Sequence, residues 1–179
     1  MDDLVRKAMG KWPNVPHCYG WLGLDARGHW AMRDDAAQAA GAFTSQQPGA
    51  KGSILRHDKL IAFICRNYAS DGQGQWYFQN GPQRVYVELE ATPWVWRLSE
   101  DLTVQAHTGA LTHCRACCMD EHGWVYLDTP LGLGLLHTLD VGLAASVLET
   151  GRWRVEAVVR QELPSRFGYV ISPQAQHQE

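Results

Sequence analysis

The chain has no long apolar run. The longest candidate, Leu131 to Leu136, is interrupted by two glycines and falls far short of the roughly 20 apolar residues that span a bilayer. No membrane partner is therefore expected. The first residues, Met1-Asp2-Asp3-Leu4-Val5-Arg6-Lys7, lack the apolar stretch of a secretory leader. Basic charge is not in excess: 16 Lys and Arg stand against 19 Asp and Glu, a formal net charge of -3. Proteins that bind nucleic acid usually show a basic face, so no nucleic-acid partner is expected. Cysteine is sparse and odd in number, with five, so at least one thiol has no partner within the chain. Together with the missing leader, this gives the expectation of a reducing cytoplasm and free thiols. A phosphate loop is missing as well. Gly132-Leu133-Gly134 lacks the third glycine and the Lys-Ser/Thr of such a loop. The helix that would receive the phosphate starts only at Asp140, whose charge repels anions. The two glycines are read as allowing close packing in a strand.

What is present fits an ordinary globular domain. The 179 residues are 45% hydrophobic, long enough to bury a core without disulfides or metal. Eight tryptophans each bring a large apolar ring and one N–H donor. Core packing is their first reading; an aromatic wall facing a ligand or partner is the second.

Helical spacing of Leu4, Val5, Ala8, Met9 and Trp12 predicts a helix over 2–12, stopped by Pro13. A second helix is predicted over 55–69, with Leu60, Ile61, Ile64 and Tyr68 on one face. A third runs over 141–150, capped by Asp140 and closed by Gly151. Asp34 to Ala40 suits one or two further turns. Gly41 to Ser53, rich in Gly, Ser, Gln and Pro, reads as a mobile loop. Strands are expected at Trp21–Leu24, around Trp30, at Trp76–Phe78, at Arg84–Glu90 with clean alternation, at Trp94–Arg97, at Leu102–Ala106, and in a pair at Ala116–Met119 and Trp124–Leu127. Two more close the chain, Trp153–Gln161 and Phe167–Ile171. Pro82 after Asn80-Gly81 predicts a widened hairpin loop.

One pattern recurs. Asp25-x-x-Gly28-x-Trp30 matches Asp71-x-x-Gly74-x-Trp76, and Asp120-x-x-Gly123-Trp124 is a third copy, one residue shorter. Asp at the first turn position bonds backbone N–H groups ahead of it, Gly accepts positive φ, and the aromatic is read as anchoring the outgoing strand in the core. Three copies predict a sheet built from duplicated hairpins. After the first motif come Ile54-x-Arg56 and the helix from Leu60 to Phe63. The second motif, Pro82, Val85-x-Val87 and Pro93 then follow in order. This succession resembles an uncharacterised bacterial family of unknown function with repeated α/β motifs in two linked halves and a suspected role in signal transduction. The resemblance is best over residues 20 to 100. It implies a two-half fold and a binding role and supplies no catalytic residues; the Gly41 to Ser53 loop and the cysteine cluster depart from the family pattern.

Candidate chemistry centres on two groups. His107, Cys114, Cys117 and His122, with His113 and Cys118 between them, are donors of the type zinc takes in a tetrahedron. Strand alternation opposes such a site, because Cys114 and Cys118 would share one face and Cys117 the other. Packing of the thiols as small hydrophobes is the competing reading. A redox Cys-x-x-Cys needs a helix start that is not visible at Cys114, and a Cys–His hydrolase built on His17-Cys18 or on Cys118 with His122 lacks any nucleophile signature. The second group is Arg84, Tyr86 and Glu88 with Trp94 and Trp96. They mix aromatic rings with both signs of charge on a sheet face and are the expected ligand-binding residues.

These readings give an α+β domain over 1–172, a mainly antiparallel sheet in two hairpin-based halves (20–98 and 99–172) with about three helices, and a flexible tail at 173–179. The expected role is a non-enzymatic binding or signalling module for a small ligand or protein partner, without a cofactor and with a homodimer open. A zinc protein using the 107–122 cluster is the alternative, and a Cys–His enzyme the next.

Overall fold

The computed structural model describes residues 1–178. In chain order the elements are α1 (Asp3–Lys11), β1 (Cys18–Leu24), β2 (Trp30–Met32), α2 (Asp35–Ala40), β3 (Ser53–Ile54), α3 (Asp58–Arg66), β4 (Tyr68–Ser70), β5 (Trp76–Asn80) and β6 (Gln83–Leu89). They continue with β7 (Trp94–Leu98), β8 (Val104–Ala106), β9 (Leu111–Thr112), β10 (Ala116–Asp120), β11 (Val125–Thr129), β12 (Gly132–Leu136), α4 (Val141–Glu149), β13 (Val155–Val158), α5 (Leu163–Phe167) and α6 (Pro173–Gln178). The chain divides into two compact units. The first holds Met1–Asp25, His29–Glu90 and the residues from Tyr169 on; the second holds Ala26–Gly28 and Ala91–Gly168.

The two units repeat one topology. The first carries a 6-stranded sheet in the order β3-β2-β1-β6-β5-β4, and the second a 7-stranded sheet in the order β13-β10-β11-β12-β7-β8-β9. Reversed, the second reads β9-β8-β7-β12-β11-β10, the first sheet's order, with β13 added at the far edge. Each has one parallel pair at its centre, β1 with β6 and β7 with β12, flanked by antiparallel hairpins. The mainly antiparallel, two-half α+β architecture is thus present. The helices differ: α3 links β3 to β4 in the first unit, whereas β9 runs into β10 through a short loop and α4 follows β12 in the second.

The hairpins share a turn. At 71–75, 99–103, 106–110 and 120–124, the first residue's N–H donates to the fifth's carbonyl and the fourth's N–H donates to the first's carbonyl. The 25–29 turn has the same closing bond, from Asp25 N–H to the His29 carbonyl at 3.0 Å. The fourth position has positive φ throughout: Gly28, Gly74, Gly109, Gly123 and, at φ 66°, Leu102. In three of these turns the leading Asp also accepts from the fifth residue's N–H, at 2.7 Å for Asp25 with His29, 3.0 Å for Asp71 with Gln75 and 2.8 Å for Asp120 with Trp124. The sequence repeat is therefore this turn. The one-residue deficit in the third copy has a consequence. Trp124 occupies the place of His29 and Gln75, and Val125 that of Trp30 and Trp76, so the strand presents the opposite side chains. Trp30 is fully buried, but Trp76 and Trp124 are only half-buried, and Trp124 lies under the Arg160 guanidinium at 3.9 Å.

Other expectations change for local reasons. The 41–53 segment is not a loose loop: buried Arg33 donates to the carbonyls of Gly20 (3.2 Å), Ala50 (2.7 Å) and Gly41, and Phe43 and Ala50 are buried. Asp140 makes no capping bond to α4; it pairs with Arg97 at 2.6 Å and accepts from Leu98 N–H at 3.0 Å. The last expected strand, Phe167–Ile171, does not form: the short helix α5, with a proline in its first turn, ends at Phe167 with Gly168 in the left-handed region, and 169–171 pair in no sheet. Asn80 pairs directly with Gln83, so the Gly81-Pro82 turn is tight; the missing Pro82 N–H is not required at that turn position. The polar tail forms α6, whose first turn is held when Glu88 accepts from Gln174 N–H at 3.0 Å and Ser172 Oγ from Ala175 N–H at 3.2 Å. Of the two glycines of β12, Gly134 permits close packing: a Cβ there would overlap the Trp96 ring and stand 2.7 Å from the Trp94 Cβ, whereas one on Gly132 would meet the Trp94 ring at an ordinary 3.5 Å.

Candidate functional site

In the first unit α3 packs over the side of the sheet that takes Val85 from β6. Leu60 and Ile64, one helical turn apart, face it together with Leu22 and Phe78. These residues close incompletely and leave a cavity of about 300 Å³, lined also by Cys18, Trp21, Met32 and Asn80. Leu22, Ile64 and Phe78 are buried; Trp21 and Met32 are 42% and 45% exposed. Asn80 brings the one side-chain amide to an otherwise apolar or thiol lining.

Arg84, Tyr86 and Glu88 project from the other side of β6. Tyr86 is buried in an aromatic stack, with Tyr19 at 4.6 Å and 4° between the rings, and His177 on Tyr19 at 4.1 Å. Its hydroxyl donates to Asp71 at 3.3 Å. Arg84 lies over the Tyr77 ring at 4.5 Å, and a hydrogen bond with Tyr86 raises its pKa. Glu88 is 2% exposed. Burial pushes its carboxyl up from the usual value, against the pull of Ser172, the Gln174 N–H and Arg33. Glu88 thus serves α6. Trp94 and Trp96 stand on β7 in the second unit, stacked at 5.5 Å, with their N–H groups donating to the Leu131 carbonyl at 2.8 Å and the Leu127 carbonyl at 3.0 Å. The five expected ligand residues are therefore divided between two sheets, and all but Arg84 are buried.

The expected zinc donors do not converge. Among the described residues no group of three or more His, Cys, Asp or Glu side chains is placed to hold a metal ion. His107 turns its Nδ1 to the Val95 N–H at 3.3 Å. His122 is exposed beside Glu121 at 3.6 Å. Cys117 and Cys118 both lie buried in β10, as alternation requires of a strand covered on two sides. Cys114 precedes the strand and lines a cavity with Cys117. Burial first, and the neighbouring Cys117 second, push the Cys114 thiol up to about 12, and burial pushes Cys117 up to about 11. Both thiols are therefore protonated at neutral pH, unlike an activated nucleophile. His17 meets Tyr86 edge-on at 5.7 Å, while Cys18 lines the apolar cavity.

Sequence reading missed the cavity because Leu22, Leu60, Ile64, Phe78 and Val85 look like uninterrupted core.

A sequence model of the family described as "Protein of unknown function (DUF2946)" matches residues 1–174. No curated protein matches the chain. Among solved structures, a DUF1285 family protein from Silicibacter pomeroyi DSS-3 superposes with a TM-score of 0.49 at 12% identity, covering 82% of this chain and 85% of that one. A DUF1285 family protein from Shewanella baltica OS155 gives a TM-score of 0.46 at 15% identity, covering 70% of this chain and 91% of that one.

Proposed function

Because this chain belongs to that family of proteins of unknown function, we propose its role from its own geometry: it is a binding module that takes a small, mostly apolar molecule into the cavity beneath α3. The observation that carries this reading is the cavity of about 300 Å³ with a buried apolar floor and a solvent-facing Trp21–Met32 rim. An apolar cavity of about 150 Å³ accommodates benzene, so one of this size suits a fused bicyclic ring or a short acyl chain. The volume falls at the small-molecule end of ligand sites, about 300–1,000 Å³, and this favours a small molecule over a partner helix. The Asn80 amide suits a ligand with one hydroxyl or carbonyl. A signalling role, a cytoplasmic setting and a homodimer belong to the same proposal; the five free thiols are in keeping with a reducing compartment.

The test uses 1-naphthol and thermal unfolding. A ligand bound only by the folded state at about 100 times its Kd adds about 2.7 kcal/mol, a rise in Tm of several degrees. Leu60→Trp, which fills the cavity from α3, should remove that rise while leaving the unliganded protein folded. No rise in the wild type, or an equal rise in Leu60→Trp, overturns the reading.

A further inference from the structure

The second unit holds a cavity of a different character. β10 and β13 are parallel, with Cys117 opposite Val155. The segments that lead into them, Cys114–Ala116 and Arg152–Arg154, therefore run side by side beyond the sheet. Between them lies a cavity of about 340 Å³, and three arginines line it: Arg115, Arg152 and Arg154.

The charges do not cancel. Arg115 is engaged, with Asp128 at 3.2 Å and the Thr129 carbonyl at 2.6 Å. Glu156, the one carboxylate in the lining, is taken up by Arg166 through two bonds at 2.9 and 2.8 Å. Arg152 and Arg154 have neither an ion pair nor a side-chain hydrogen bond within the described residues. Two guanidinium groups are thus left uncompensated at one cavity of a chain whose net charge is -3. Trp153, half-buried between them, adds an aromatic ring to the same wall.

We propose that this cavity is an anion site, and that its ligand is a small organic phosphate monoester bearing a planar ring. The guanidinium fork matches phosphate oxygens two at a time, and the Trp153 ring offers a face for the planar group. The volume is that of a small-molecule site. The site shares no residue with the apolar cavity under α3, so each can fail alone. The sequence Gly151-Arg152-Trp153-Arg154 directly after α4 is its signature.

Calorimetric titration of the whole chain with inorganic phosphate and with adenosine 5′-monophosphate tests the proposal. The monophosphate should bind more tightly than inorganic phosphate, and both should weaken as salt rises. Arg152→Gln with Arg154→Gln, at exposed positions, should weaken both by about tenfold or more, as loss of charge-assisted bonds does. Arg6→Gln with Lys7→Gln, exposed basic residues on α1, should change nothing. Trp153→Ala should bring the monophosphate down to the affinity of inorganic phosphate. Absence of binding at millimolar anion, equal loss from the α1 control, or undiminished binding in the double arginine variant overturns the proposal.

Discussion

Trp96→Ala and Trp124→Ala, read side by side, test how unequally the structure buries the tryptophans of the second unit. Trp96 is 0% exposed. A buried tryptophan removes about 200 Å² from water, worth about 5 kcal/mol at ~25 cal/mol per Å² as an upper figure. Such truncations usually cost about 3–5 kcal/mol. The Leu127 carbonyl would also lose the Trp96 N–H that it accepts at 3.0 Å. That pushes the loss to the upper end, about 5 kcal/mol. Trp124 is half-buried, and the Arg160 contact at 3.9 Å adds only about 0.5–1 kcal/mol at a partly exposed site. Its removal should cost about 3 kcal/mol: about 2.5 for half the buried area at the same coefficient, plus that contact. The measurement is the urea midpoint followed by far-UV circular dichroism, with the slope checked for constancy. A loss for Trp124→Ala within about 0.5 kcal/mol of the Trp96→Ala loss would refute the unequal burial of the two rings, as differences that small fall within ordinary scatter. If Trp96→Ala does not fold, Trp96→Phe keeps the ring and still removes the bond to the Leu127 carbonyl, at about 1–3 kcal/mol.

Gly134→Ala should lower stability by about 1–3 kcal/mol or more, because its Cβ would overlap the Trp96 ring beneath it; a neutral result would show that β12 has room to shift. Cys114 and Cys117, with thiols held at about 12 and about 11, should alkylate with iodoacetamide at pH 8 much more slowly than a free thiol, and one fast thiol in this pair would contradict the burial seen there. Burial raises the Glu88 carboxyl above its ordinary 4.5, so the folded chain holds that proton more tightly than the unfolded one. The associated stability is complete below the ordinary value and is lost as pH rises through the folded pKa. Glu88→Gln should therefore remove that fall and let stability rise more steeply with pH just above the ordinary carboxylate range, and an unchanged slope would mean that Glu88 is not desolvated.

Much of the fold was legible because its signals are local. Asp-x-x-Gly turns, the alternation from Arg84 to Leu89 and the Val141–Glu149 helix depend on neighbours in sequence, and all stand in the structure. What failed depended on partners far along the chain. Arg33 tethers the 41–53 segment through carbonyls up to 17 residues away, and Asp140 leaves its capping position for Arg97, 43 residues distant. The mixed-charge face of β6 reads as a ligand surface until α6, 86 residues on, covers Glu88. Both cavities are gaps, and a gap has no residue of its own: Leu60 and Ile64 look the same in sequence whether the space beside them is filled or empty.

The first unit is discontinuous. Its sheet lies in residues up to Glu90, but its closing elements come from Tyr169 onward: Leu89 N–H donates to the Ile171 carbonyl at 2.8 Å, Val170 N–H to the Gly74 carbonyl at 3.0 Å, and α6 seats on Glu88. The second unit lies almost wholly between Ala91 and Gly168. On a ribosome, where segments become available from the N-terminus, the later unit is therefore complete first. The earlier one waits with its Glu88 face open until the last residues emerge, so the chain does not mature in the order in which it is written.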